Sequence, residues 1–285
     1  MISYFQAIIL GIVQGVSELF PISSLGHSVI IPKLFGWNLG QSNDKFVTFL
    51  VATHFATAVV LLGFFWSDWK RIVAGLWRSI RQRGLDPHDS DARLGWYIVI
   101  GTIPAGIIGL VLQKPLEKLF GNAKLVAVIL ILNGLMLLRA EVLRRRAHGA
   151  ALEDDARLAA SLTPKSAFGI GVAQAIALIP GFSRSGAAMS GGLLAGLSHR
   201  DAARYSFLLA TPIIGAAALL KLPGLFGTAG HGILGQALVG AICAGVAAYF
   251  SVRFLLRFFE TNRLTPFGIY CVVAGVVSLV WLTLI

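Results

Sequence analysis

The sequence predicts an all-α polytopic membrane protein built as an inverted-topology repeat, with six transmembrane helices plus two re-entrant helix-loop-helix hairpins. Three observations carry that prediction. Of 285 residues, 56% are hydrophobic and 13% charged, where a soluble domain carries about 25% charged residues, and the mean hydropathy is +0.78. Apolar stretches recur at the length a spanning helix needs, roughly 20 residues. They run continuously rather than alternating, which selects helices from the two structures that satisfy their backbone in hydrocarbon. Third, the chain repeats itself at a nearly constant offset.

The first apolar region, 3–36, is broken by Gly, Pro and Ser and holds polar residues at its middle. It reads as two half-helices joined by a loop that enter and leave on one side, a backbone tolerated at membrane depth only inside protein or a watery cavity. Tyr4 to Phe20 lacks a cationic leader and a small-residue cleavage site and carries Gln14 and Glu18, so it is expected to be retained. Full spans follow at 49–66, 96–113 and 124–140. The stretch 141–165, with Arg144, Arg145, Arg146 and then Glu153, Asp154, Asp155, reads as a solvated cytoplasmic linker. A second broken region covers 166–198, followed by spans at 205–222, 232–252 and 267–285. Cys243 and Cys271 fall inside spans, with no metal spacing or disulfide framework, and read as small core residues.

The repeat organises these elements. GIVQ at 11–14 matches GVAQ at 171–174, and Phe49-Leu-Val-Ala-Thr matches Phe207-Leu-Leu-Ala-Thr, at offsets of 160 and 158 residues. Between them Pro21-Ile-Ser-Ser-Leu-Gly matches Pro180-Gly-Phe-Ser-Arg-Ser-Gly. A single membrane domain, 1–285, thus divides into a first repeat 1–140, the linker 141–165 and a second repeat 166–285. Each half holds three full spans, an odd number, so the second must be inverted. Charge agrees: loops 67–95, 139–165, 198–204 and 253–263 hold 17 Lys and Arg, the opposite side six. The cation-rich side is the cytoplasmic one. Both termini then lie outside, the first hairpin enters from outside, the second from the cytoplasm, and their tips meet near the midplane. The net charge of +11 is explained by these loops, which removes the nucleic-acid reading.

The tips carry the chemistry. Gln14 and Glu18, four apart, share a helix face; Pro21 ends that helix; Ser23, Ser24, Gly26 and His27 fall on the turn and the next half-helix. Ionisable groups inside a membrane are functional candidates, against the alternative that Glu18 and His27 pair only to hold the hairpin. In the second tip Arg184 is flanked by Ser183 and Ser185 and framed by Gly181 and Gly186. Its planar fork suits phosphate oxygens, and glycine-flanked amides at a helix start suit an anion. The alternative is a structural Arg184–Glu18 ion pair, which is compatible with a phosphate clamp. A carboxylate suited to a hard divalent cation, hydroxyls, an imidazole and an arginine fit a diphosphate with a metal, since phosphoryl transfer needs mainly positioning and charge neutralisation. A site within the membrane calls for an amphiphilic substrate, a lipid diphosphate. His54 and His231 belong to no motif; His54 reads as a core or cavity hydrogen bond, His231 as a solvated loop residue.

These residues resemble the bacitracin-resistance type of undecaprenyl-diphosphate phosphatase, a bacterial membrane family. The first family signature here reads Gln14-Gly-Val-Ser-Glu18-Leu-Phe-Pro21-Ile-Ser-Ser-Leu-Gly-His27 and the second Pro180-Gly-Phe-Ser-Arg-Ser-Gly-Ala-Ala188. The resemblance covers nearly the whole chain. It implies conversion of undecaprenyl diphosphate to undecaprenyl phosphate, recycling the carrier for peptidoglycan synthesis and giving bacitracin resistance. It also implies Mg or Ca as cofactor and an inner-membrane site facing the periplasm or exterior. By resemblance, Glu18 binds the metal with Gln14 assisting, or positions water. Arg184 holds phosphate with Ser183 and Ser185, helped by Ser23, Gly181 and Gly186. Ser24 or His27 is the nucleophile or acid/base, and the choice stays open, as does a homodimer. Gln14, Leu25, Leu50 and Ala188 depart from the commoner pattern by losing carboxylates or hydroxyls, which points to a slower enzyme, another polyprenyl substrate or lost hydrolysis. The competing function is a flippase or transporter of polyprenyl phosphate with weak or no hydrolysis, since broken helices in inverted repeats are also a transporter architecture.

Overall fold

The computed structural model describes residues 2–37, 39, 44–117, 121–144, 154–227 and 230–284, which are helical with no strand beyond one isolated bridge between Pro180 and Phe182. Six helices have the length and apolarity to cross a membrane: α3 (Asp44–Phe64), α5 (Ser90–Glu117), α6 (Ala123–Leu143), α10 (His199–Lys221), α11 (Leu234–Phe258) and α12 (Thr265–Leu284). Each corresponds to one of the six predicted spans. Their outer faces expose Ile103, Ile107, Val246, Phe250, Val277 and Val280, an apolar surface that hydrocarbon covers and water would not.

Both broken regions form pairs of short helices. The first is α1 (Tyr4–Leu19) and α2 (Ser24–Leu34); the second is α8 (Pro164–Ile176) and α9 (Arg184–Leu194). At 1.5 Å per residue these reach roughly 16–24 Å, short of the roughly 30 Å hydrocarbon core. Caps fix where they begin. Ser3 and Gln6 form a reciprocal capping box on α1, Thr163 and Ser166 another on α8 with Pro164 at its first turn. The pairs pack alike: α1 lies on α11 and α8 on α5, while α6 packs on α12 and α3 on α10. A Cβ on Gly11 would collide with the Gly240 carbonyl, and one on Gly171 with the Gly101 carbonyl. These two close backbone approaches occupy matching repeat positions.

The four cation-rich segments gather at one end. Arg204 meets Asp68 at 3.2 Å, Arg157 chelates Asp201 at 2.6 and 2.9 Å, and Arg93 donates to the Ala159 carbonyl at 2.8 Å. Glu141 joins α6 to His199 at 2.9 Å and to the Leu264 amide at 3.1 Å. Two segments read as loops contain helices. Residues 66–82 form α4, which buries Ile72, Gly75 and Ser79 and exposes Trp66, Val73, Trp77 and Ile80. Its cations hid a helical apolar period. In the linker, 145–153 lie outside the described residues, whereas Asp154–Ser161 is a helix, α7, with Leu158, Ala159 and Leu162 buried. That part is packed, not solvated, because Arg157 is anchored to Asp201.

The interior centres on α10, where Tyr205, Phe207, Leu208, Leu209 and Ala210 are almost fully buried. The Tyr205 hydroxyl donates to the Tyr97 carbonyl at 2.7 Å, so α10 and α5 are tied beside the second helix pair.

Candidate active site

Each short pair turns at a serine-capped tip. After Leu19 the chain leaves the helix through Phe20 and Pro21, and Ser23 accepts the Gly26 amide at 3.1 Å to start α2. Ser183 accepts the Gly186 amide at 3.1 Å to start α9. Gly181 has φ +108, and a Cβ there would sit 2.7 Å from Ile129 Cβ and the Val126 carbonyl. Only glycine fits this turn against α6.

The tips meet. Arg184 donates from Nη2 to Glu18 Oε1 at 3.1 Å and from Nη1 to the Ser206 carbonyl at 3.2 Å. Glu18 Oε2 accepts the Ser24 hydroxyl at 2.6 Å and Gln14 Nε2 at 3.1 Å. His54 Nε2 lies 3.3 Å from the same oxygen, with Nδ1 donating to the Leu50 carbonyl at 2.7 Å. Glu18 is 6% exposed, so these donors, not water, compensate its charge. Two acceptor-donor capacities remain unused: Gln14 Oε1 and Arg184 Nε are buried with no hydrogen-bond partner.

Asn133, on α6, pins both turns. Its Nδ2 donates to the Pro21 carbonyl at 3.1 Å and to Cys271 Sγ at 3.3 Å, while its Oδ1 accepts the Ser183 amide at 2.9 Å. Ser185 adds a bond to the Phe20 carbonyl at 3.1 Å and lies 3.0 Å from the Ser183 hydroxyl. Asn133→Leu leaves the buried Ser183 amide unpaired, at about 1–3 kcal/mol, and leaves the Pro21 carbonyl only the weak Cys271 Sγ–H donor at 3.9 Å. Its thermal midpoint in detergent is expected to fall measurably, and its activity with it.

The structure brings together Gln14, Glu18, Ser24 and Arg184, and the Arg184–Glu18 ion pair is present. Other expectations are corrected. Glu18 and His27 do not pair; His27 bonds the Ser23 carbonyl through Nδ1 at 2.7 Å and the Tyr270 hydroxyl through Nε2 at 2.8 Å. His27 is thus bonded elsewhere, and the group that accepts the Ser24 hydroxyl is Glu18. Ser23 and Ser183 act as helix caps, and the Ser185 hydroxyl is spent on Phe20. A Cβ on Gly186 would stand 3.2 Å from Pro21 Cβ, so this glycine, like Gly181, permits close packing at the turns. Leu50 and Ala188 are buried apolar residues and Leu25 packs against the cluster of Phe46 and Phe49. His231 lies exposed on a turn.

Two contributors escaped the sequence reading, Asn133 and Tyr270, and a third, His54, was read only as a core or cavity hydrogen bond, which it makes to Leu50. The signals were there for two of them. His54 directly follows the matched Phe49–Thr53 segment and is an ionisable group within a span; Asn133 is the lone amide in an otherwise apolar stretch.

Among the described residues no group of three or more His, Cys, Asp or Glu could hold a metal. The donor set of Glu18 and the free Gln14 Oε1 instead fits a cation that takes most of its oxygens from a diphosphate and water, as Mg does. A polar cleft of about 590 Å³, lined by Arg144, Arg157, His199, Arg200, Asp201 and Arg263 among others, lies at the cation-rich end, away from the tips.

The chain is similar over nearly its whole length to known proteins. The family model described as "Bacitracin resistance protein BacA" matches residues 7–277. The chain is 48% identical over 304 residues to the undecaprenyl-diphosphatase of Mycolicibacterium paratuberculosis, covering 99% of this chain and 98% of the relative. It is 46% identical over 281 residues to undecaprenyl-diphosphatase 2 of Burkholderia thailandensis, covering 98% and 97%. Undecaprenyl-diphosphatase 2 of Frankia alni is 42% identical over 332 residues, covering 96% of each.

Proposed function

We infer that this chain, which belongs to the bacitracin resistance protein BacA family, hydrolyses undecaprenyl diphosphate to undecaprenyl phosphate and inorganic phosphate. It thereby returns the lipid carrier to peptidoglycan synthesis and confers bacitracin resistance. One observation carries the reading: a single buried carboxylate, Glu18, holds the Ser24 hydroxyl on one oxygen and the Arg184 guanidinium on the other. A nucleophile, its base and a phosphate-binding cation are thereby joined across two distant segments.

In this reading Arg184 binds the terminal phosphate, with its unused Nε–H available to a phosphate oxygen. Glu18 takes the proton of Ser24 as its Oγ attacks the terminal phosphorus. The P–O bond to the bridging oxygen breaks, and undecaprenyl phosphate leaves. Water then cleaves the phosphoserine, with the Glu18 proton passing back to Ser24. His54, beside Glu18, balances the carboxylate's charge during the transfer. Glu18 and Gln14 would hold a divalent cation, Mg or Ca, on the diphosphate, where it neutralises developing charge. The short helix pairs are read as re-entrant hairpins of an inverted repeat, supported by their length, matched caps and matched glycine contacts. The cation-rich end is read as cytoplasmic, with both termini outside and the site facing the periplasm of the inner membrane.

The test is phosphate release from undecaprenyl diphosphate by the detergent-purified protein. Chelation is expected to abolish release, and added Mg or Ca to restore it. No release from folded protein with either metal would leave binding without cleavage, the behaviour of a lipid-phosphate transporter.

A further inference from the structure

Ser23 has φ 71 and ψ 97, a backbone conformation that a residue with a side chain adopts only when its surroundings force it. It immediately precedes Ser24, so its dihedrals aim the hydroxyl that meets Glu18 at 2.6 Å. What surrounds it is a chain of contacts ending on a distant helix. The Ser23 carbonyl accepts His27 Nδ1–H at 2.7 Å and the His27 amide at 3.2 Å. Because Nδ1 carries the proton, Nε2 is the bare nitrogen, and the Tyr270 hydroxyl donates to it at 2.8 Å. The two rings also stack, with centroids 5.7 Å apart and planes 10° from parallel. Both nitrogens of His27 are thus committed, one to the strained turn and one to α12.

We propose that Tyr270 and His27 form a brace that holds the strained Ser23 turn and so positions Ser24, making His27 a positioning residue rather than the nucleophile. This rests on the reading of Ser24 as the attacking group. A brace needs a donor to the Ser23 carbonyl and an acceptor for Tyr270; it does not need an imidazole. A side-chain amide supplies both, whereas no amide can replace a nucleophilic or proton-transferring imidazole.

The experiment compares His27→Gln, His27→Leu and Tyr270→Phe in the full-length protein, measuring kcat and KM for phosphate release. His27→Gln is expected to stay within about tenfold of the parent, and His27→Leu to fall about a hundredfold, the scale of a small misplacement at a reacting centre. Tyr270→Phe keeps the ring and loses the hydroxyl, and is expected to lower kcat several-fold with KM little changed. Acid quenching during turnover of terminally labelled substrate is expected to leave acid-stable label on serine. The brace is overturned if His27→Gln is as inactive as His27→Leu with the same thermal midpoint, or if acid-labile label appears on His27. It is read without activity from the ¹⁵N resonances of His27: Nδ1 protonated and Nε2 bare in the parent, with Nε2 moved by Tyr270→Phe. An unmoved Nε2 overturns it. Absent phosphate release from the parent protein overturns the phosphatase instead, and full activity in Ser24→Ala overturns the nucleophile.

Discussion

Arg184→Lys is expected to lower phosphate release by about 10²–10³-fold while the protein stays folded. The substitution keeps the positive charge beside Glu18, so the buried carboxylate is not stranded. It removes the fork. In the native arrangement one terminal nitrogen binds Glu18, the other binds the Ser206 carbonyl, and Nε has no hydrogen-bond partner. A lysine ammonium is a point charge that cannot hold Glu18, anchor to α10 and present a planar edge to phosphate at once. Arg184→Ala would remove the ion pair as well, and breaking a buried pair costs about 3–5 kcal/mol, so a loss of activity there would mix chemistry with unfolding. Steady-state rates with a thermal midpoint on the same lysine variant separate the two. A variant of full activity would show that the guanidinium does not hold the transferred phosphate.

Glu18→Gln is expected to abolish measurable turnover, a fall of about 10³–10⁴-fold. Gln14, Ser24, His54 and Arg184 all contact this one carboxylate. The amide keeps the shape but cannot accept the Ser24 proton, and its NH₂ must face one of several donors: Ser24, Gln14, His54 or Arg184. Some loss of stability accompanies it, since Arg184 loses its buried counter-charge. Purified variant that elutes as the parent does, binds substrate, and releases no phosphate is the expected result. Full turnover would remove Glu18 from the reaction and transfer the role of base to another group.

The spans were legible because a run of apolar residues with the right length has few alternatives in lipid. All six predicted stretches have their helix, displaced by a few residues at most ends. The helix α4 was not, since Lys70, Arg71, Arg78 and Arg81 within it read as loop charge, and its apolar period shows only once α5 covers Ile72 and Gly75. The Glu18–Arg184 meeting was legible from the repeat, which placed two polar tips at equivalent positions. The roles of the serines were harder to read. A sequence offers Ser23, Ser24, Ser183 and Ser185 as equal hydroxyls; the fold spends two on caps and one on a carbonyl, and leaves Ser24 on the carboxylate. Tyr270 could not be found at all, because its partner His27 lies 243 residues away and neither helix pattern marks the contact.

Asn133 has a consequence for how the molecule can move. One side-chain amide holds the Pro21 carbonyl of the first turn and the Ser183 amide of the second. A rocking of one half against the other would have to rupture both bonds together, in a place where no solvent stands ready to replace them. A motion that spares them must carry the two turns as one piece, with its pivots out along the helix arms. The two turns have thus given up their independence of each other, and whatever approaches them meets two walls that cannot part there.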